Sequence, residues 1–443
     1  MNLQTTNRIV SWACGAAALS TPWRRLAAGI GAVSAAALIA ACGGGGGDFA
    51  GVGTGGTGSF GVGTVSGFGS VYVNGVRYQD QGAKLVDDDG KVSIAGTDPN
   101  PLRVGMVVQV NGSSEASGAS RTATQIAYGA EVEGTVSAVD AAAGTFDVLG
   151  VRVRTTPSTV YEDFGGVAAL AVGQVVEVSG LPDNAGRIVA THVEREADSE
   201  AAYAAAGGKF RLRGPVAGLS GTAAAYSFSL RGLPIRTDGA TQITGTPAEG
   251  AMVSVRLNPL RGGDGRYLAE RLTLRSASFD AVPADANGEI EGYVSAYDAA
   301  AGTLRVGGYA VRLASGVVFE DGTAADLKNG IRVEAKGRVE GAVLLASKIE
   351  IESRDDDGDG DDSELAGAPG RVEFEGTASC IACGSGSGSF VIKANTVRYD
   401  AATVFKDGLS GAALHGKSVE VKAVPEAGAS GTVYRATEIE IDD

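Results

Sequence analysis

The chain repeats itself five times, at about 60–130, 131–196, 209–277, 289–353 and 371–443, a period of small domains rather than of solenoid turns. Each unit places a glycine three residues before an alternating apolar pair: Gly105 with Val108 and Val110, Gly173 with Val176 and Val178, Gly250 with Val253 and Val255, Gly330 with Val333 and Ala335, Gly416 with Val419 and Val421. Period-two apolarity defines a strand with one buried face, and the glycine closes the turn in front of it. An alanine three residues before a branched aliphatic marks a last strand: Ala123 and Ile126, Ala190 and Val193, Ala269 and Leu272, Ala346 and Ile349, Ala436 and Ile439. The openings EVEGTVSAVD from 131 and EIEGYVSAYD from 289 read as first strands, and SVYVNGVRY from 70 as a hairpin whose Asn74-Gly75 suits a tight type I′ turn. With 68 glycines and 6% aromatics, the composition fits many short strands joined by turns.

Each unit therefore reads as a strand, a two-stranded hairpin, a short helical or looped crossover such as DGTAADLKNG from 321, and two more strands. That order is the order of a small OB-like five-stranded Greek-key barrel, in which closure removes free edges. The expected fold is all-β: a tandem array of about five barrels, each with its own core. In the fourth unit Val294, Leu304, Val306, Val311, Leu313, Val318, Leu327, Val333, Leu344 and Ile349 are expected to line one interior.

The N-terminus says where such an array would reside. Arg24 and Arg25 precede an apolar run from Leu26 to Ala41, and Leu38-Ile39-Ala40-Ala41-Cys42 resembles the lipobox of bacterial lipoproteins. Residues 1–41 are then a lipoprotein signal peptide, Cys42 carries the lipid, and 42–59 form a Gly-rich tether. Gly43 rather than Asp after the cysteine implies the outer membrane as destination in a proteobacterium. Residues 1–41 hold three arginines and no acid, so their removal takes the formal charge from −15 to −18. So acidic a chain repels phosphate backbones, and no nucleic acid partner is expected.

The units opening G-x-V-S-x-x-D with a downstream G-T-F-x-V pattern (Gly134 to Asp140 and Gly144 to Val148; Gly292 to Asp298 and Gly302 to Val306, with Leu304 in place of the Phe) carry a resemblance. With VYED from 160, VFEDG from 318 and the lipobox, they resemble the domain of unknown function 5666 family of bacterial lipoproteins. The resemblance implies fold and location. It lends no activity.

Few residues could carry chemistry. His192 and His415 fall on different units and are expected to be structural or surface residues. Glu131 and Glu133, Glu289 and Glu291, and Glu373 and Glu375 lie two apart on first strands, while the third unit has Arg211 and Arg213 there. A repeated position that accepts either sign reads as a solvated strand face, or as charges that pair between barrels. Asp355, Asp357, Asp359 and Asp361 match the first half of a calcium loop, but Ala366 stands where the bidentate glutamate belongs. Residues 354–370 therefore read as an acidic linker with weak calcium candidacy, and Asp87-Asp88-Asp89-Gly90 as a similar solvated loop. Cys380 and Cys383 form a C-x-x-C in an oxidising compartment, which points to a short disulfide.

The expected function is a non-enzymatic envelope lipoprotein, membrane-held through Cys42, whose barrels bind or organise an envelope polymer or protein. A glycan hydrolase using acids at a barrel junction and a calcium-responsive spacer are the alternatives. No catalytic residue and no cofactor is assigned.

Overall fold

In a computed structural model, which describes residues 58–114, 121–222, 225–353 and 370–442, the first strand of each repeat runs beside both its hairpin and its fourth strand. In barrel 1, Gly58–Phe68 pairs antiparallel with Val71–Val73 and with Val107–Ser114. Val76–Gln79 completes the hairpin and pairs parallel with Arg121–Tyr128, which returns antiparallel to Val107–Ser114. The ring is closed in the spatial order first, second, third, fifth, fourth strand. The same closure recurs at 132–197 (barrel 2), 210–274 (barrel 3), 287–353 (barrel 4) and 372–441 (barrel 5). The described residues thus form five closed OB-like barrels.

The crossover differs from expectation. In place of a purely helical or looped link, a short extra segment pairs parallel with the last strand: Lys84–Val86, Val160–Glu162, Gln242–Thr244 and Val404–Phe405. In barrel 4 this segment is continuous with the third strand, Tyr309–Glu320, through a register shift between Leu313 and Val318. The shift reverses the alternation of faces. Val318 therefore stands opposite Lys348 and is 55% exposed, not in the core where its repeat position suggested.

The barrels do not keep their cores to themselves. The interior of barrel 4, with Ile290, Val294, Val306, Val333, Leu344 and Ile349 fully buried, is completed by Phe60 of barrel 1 and by Phe279 from the preceding segment. Phe60 meets Phe279 and Tyr309 edge-on, with ring centroids 5.4 and 5.6 Å apart. One continuous apolar cluster joins barrels 1 and 5, and another joins barrels 2 and 3.

Strand pairing also crosses the repeats. The N-terminal half of a first strand extends past its own hairpin and so presents an unpaired edge, which a second barrel can cover. Ser59 to Val62 of barrel 1 pair parallel with Asn287 to Ile290 of barrel 4. In barrels 2 and 3, Val132 and Glu133 pair antiparallel with Leu212 and Arg211. Further along the first strand of barrel 1, Gly67 and Phe68 pair with Glu373 and Phe374 of barrel 5. Gly67 lies so close that a Cβ there would fall on the Glu373 carbonyl oxygen.

Phe60→Ala is expected to destabilise the full chain by about 3–5 kcal/mol, the usual cost of emptying an aromatic site in a packed core, and to do so mainly through barrel 4. Denaturant unfolding of the variant, with hydrogen exchange read at Val333 and Ile349, checks both the size and the location.

A candidate binding site at the seam of three barrels

The outward residues of the first, fourth and fifth strands form rows across each barrel. In barrel 2, Glu133, Glu177 and Glu194 stand in register. Barrel 4 repeats the row with Glu291, Glu334 and Glu350, and barrel 5 with Glu375, Glu420 and Glu440. Barrel 3 inverts the sign, with Arg211, Arg256 and Arg271. Like charges directly opposite one another destabilise an isolated sheet. Here the rows are compensated by a neighbouring barrel or by a basic residue beside them.

The paired first-strand acids are consequently not a solvated face. Glu133, Glu289, Glu291 and Glu375 are all buried. Glu133 is held by Arg211 and by the Tyr203 hydroxyl. Glu289 accepts from Arg121 of barrel 1 at 2.8 Å, and Glu291 accepts from the Thr64 amide and hydroxyl at 2.9 Å and from Arg332. Glu375 accepts from Tyr72 and from Arg77, the latter at 2.7 Å. Glu131, at the start of barrel 2, pairs with Arg213 at 3.2 Å. For Glu373 the structure gives only partial burial and a raised pKa, by burial and then by the Glu420 charge. Ion pairing between barrels holds for Glu131, Glu133, Glu289 and Glu375.

The acidic loop of barrel 1 is likewise not free in solvent. Asp88 accepts from Arg213 at 2.6 Å and from Arg275 at 2.7 Å. Asp89 accepts from Arg211 and Arg256, each at 3.0 Å, while Arg271 donates to its carbonyl at 2.6 Å. Burial raises the Asp89 pKa, but Arg211 and Arg256 outweigh it and the carboxyl titrates below its ordinary value.

Where barrels 1, 2 and 5 meet, they line an open cleft of about 800 Å³. Its lining includes the aromatic residues Phe68, Tyr161 and Tyr434 together with Asn100, Asn395, Thr396 and Thr432. Asp80, Asp98, Glu162 and Asp163 outnumber the cations Arg103 and Lys393 there. Tyr161 and Tyr434 are both pushed above the usual phenol range by burial, so their hydroxyls remain neutral donors. His192 closes one side. Its Nδ1 lies 2.9 Å from the Val104 carbonyl of barrel 1 and therefore carries the proton as donor. Gly105, at φ +89°, lets barrel 1 approach this strand, since a Cβ there would strike the Thr191 carbonyl.

The remaining sequence-derived candidates lie apart from this cavity. Cys380 and Cys383 are joined in a disulfide, with their Cα atoms 5.7 Å apart. His415 sits beside that bridge, its Nδ1 accepting from the Cys380 amide at 3.2 Å, so the two histidines are not brought together. Cys42 and the acidic run with Asp355, Asp357, Asp359 and Asp361 lie outside the described residues. Sequence reasoning missed Glu177, Glu194, Glu334, Arg256 and Arg271. Their signal was present: each is the polar residue beside buried aliphatics in a fourth or fifth strand.

The strand order defines an OB-like, all-β protein with several barrels. Residues 133–194, 213–273, 291–350 and 382–440 each match the domain of unknown function (DUF5666), so the chain belongs to that family in four tandem copies. Barrel 1 shares their connectivity but lies outside the matched segments. A search of curated proteins found no match. Among solved structures, the Drosophila protein Unr CSD456 is similar at 13% identity over 52% of this chain and 96% of its own, with a TM-score of 0.14. A multidomain protein with nucleic acid binding domains from Streptococcus pneumoniae TIGR4 is similar at 12% identity over 50% and 75%, with a TM-score of 0.13. Likeness at scores this low carries no argument about function.

The compensated acid rows make stability depend on pH. Burial, then the charge of Glu133, pushes Glu177 up to about 8. Burial and the hydrogen bond with Glu289 raise Glu334, while for Glu289 burial is outweighed by that same hydrogen bond, then by Lys336 and Arg121, so its carboxyl stays low. A carboxyl with a raised folded-state pKa binds its proton more tightly in the fold, so its contribution is full below the ordinary value of 4.5 and is lost as pH rises through about 8. Thermal unfolding at fixed ionic strength should therefore show a lower midpoint at pH 8.5 than at pH 5.5. Glu334→Gln should shrink that difference.

Proposed function

We propose that this protein is a non-enzymatic binding and structural module of the bacterial cell envelope. In this reading it is lipid-anchored through Cys42 and offers the cavity between barrels 1, 2 and 5 to a segment of an envelope polymer or protein. The observation that carries the proposal is the cavity itself: about 800 Å³, walled by three barrels, with aromatic rings and neutral amides and hydroxyls on its surface. Such a lining suits a polar, uncharged ligand, whose apolar faces stack on rings while its hydroxyls or amides find side-chain partners. The surplus of carboxylates disfavours phosphate and other polyanions and tolerates cationic groups. Glu133, Glu289 and Glu375 are engaged in inter-barrel ion pairs, which argues against the hydrolase alternative that would set them across a cleft. Because OB-like barrels bind through strand faces and loops, a seam between such surfaces is a natural place for a ligand.

Two measurements test the proposal. A benzophenone side chain placed at Ser430, on the cavity rim, should crosslink in intact cells to a polymer or protein that the same group at exposed Ser347 does not capture. Identical adducts at both positions, or none at Ser430, would remove the cavity from the proposal. For the anchor, Cys42→Ser should abolish palmitate labelling and leave uncleaved precursor, whereas labelled and processed protein would overturn it.

A further inference from the structure

At the edge of the cavity, His192 presents a buried ring nitrogen that has no hydrogen-bond partner. The side chain is 2% exposed, and its Nε2 lies 3.6 Å from Glu162 Oε2 and 4.0 Å from Glu194 Oε2. The register explains the convergence. His192 and Glu194 are two apart on the last strand of barrel 2 and so share a face, while Glu162 on the adjoining parallel segment stands opposite Glu194. The donor–acceptor bond from Nδ1–H to Val104 fixes the tautomer, so Nε2 offers a lone pair towards two carboxylate oxygens. A lone pair facing carboxylates gains nothing from them. A cation between the three atoms would satisfy all of them.

We propose that Glu162, His192 and Glu194 form a binding site for one divalent transition-metal cation, zinc being the reference member of the class. One oxygen or nitrogen from each residue lies within 4.8 Å of the others, and rotation of the two partly exposed carboxylates would bring them to the spacing of about 3.3–3.6 Å set by a tetrahedral ion at about 2.0–2.2 Å from each ligand. An imidazole fixed through its other nitrogen by a backbone carbonyl is the arrangement metal-ligating histidines adopt. The mixed nitrogen and carboxylate set favours zinc-like ions over calcium or magnesium, which select all-oxygen shells. Charge agrees with geometry. Glu162, Glu194, Asp163 and Glu196 act on this point against Arg103, which donates from Nε to Glu162 Oε1 at 3.1 Å and leaves Oε2 free for the ion. Two other acidic groups, Glu133 with Glu177 and Glu196, and Glu334 with Glu350 and Glu352, meet the same distance limit, but neither contains an unpartnered imidazole. The site exists only when barrel 1 docks on barrel 2, because Val104 supplies the bond that aims the ring. A bound ion would accordingly bias the chain towards the docked arrangement.

The test uses the full chain, purified in detergent, stripped with chelator and titrated with zinc chloride. Calorimetry should report one tight site per chain that excess calcium chloride does not compete for. In protein labelled with ¹⁵N-histidine and carrying His415→Gln, zinc should move the Nε2 resonance of His192 and leave its Nδ1–H bonded. Glu194→Gln should weaken zinc about tenfold or more, while Glu334→Gln leaves the affinity unchanged. Zinc that binds without moving the His192 resonance, equal losses from Glu194→Gln and Glu334→Gln, or no zinc uptake by folded wild-type chain would each overturn the assignment. The resonance is read in protein whose ligands are all intact, so misfolding of a ligand variant cannot mimic a failure.

Discussion

The structure depends on charge buried between barrels. Arg211 lies between Glu133 of its neighbour in sequence and Asp89 of barrel 1, and the three groups join three barrels at one point. Burial would lower the Arg211 pKa, yet the surrounding carboxylates hold it above its ordinary value. Deleting one partner from such a group leaves an uncompensated buried charge, at a cost of about 3–5 kcal/mol. The ion network therefore fixes the mutual placement of the barrels more firmly than it adds net stability. Apolar contact between curved barrel surfaces would tolerate sliding, whereas an arginine fork meeting two carboxylates does not.

Barrel 1 is the hub of this arrangement. It inserts its acidic loop into the arginine row of barrel 3, lends Phe60 and a strand edge to barrel 4, meets the Glu375 of barrel 5 with Tyr72 and Arg77, and caps His192 of barrel 2. Together these contacts meet four chemical needs: paired charge, a filled core, a covered edge and a satisfied ring nitrogen. That the hub is also the repeat outside the matched family segments is consistent with this division of labour. The four family copies share a pattern that builds a barrel, while the first has the same topology with its surface given over to holding the others.

The same docking creates the features with chemical possibilities. No single barrel forms the 800 Å³ cleft, whose lining comes from three. Neither would the tautomer of His192 be fixed without the Val104 carbonyl from another repeat. Binding at this seam and assembly of the barrels are consequently linked: whatever binds the docked state stabilises it by mass action.

The sequence by itself determined the barrel. Period-two apolarity around Val108, Val176, Val253, Val333 and Val419, turn glycines such as Gly75 and Gly105, and the closing alanines specify strands, faces and order, because these are local consequences of backbone sterics and side-chain alternation. The C-x-x-C was legible in the same way. What tertiary structure decided was where each outer face goes. Glu133 and Glu289 look solvated in any one repeat, since a strand's polar face carries no local mark of what will cover it. Only the register placing Arg211 beside Glu133, and the loop bringing Asp89 to Arg256, turned repeated surface charge into buried pairs. His192 likewise reads as an isolated histidine along the chain. Its orientation depends on a carbonyl 88 positions away, supplied by barrel packing that no local periodicity encodes.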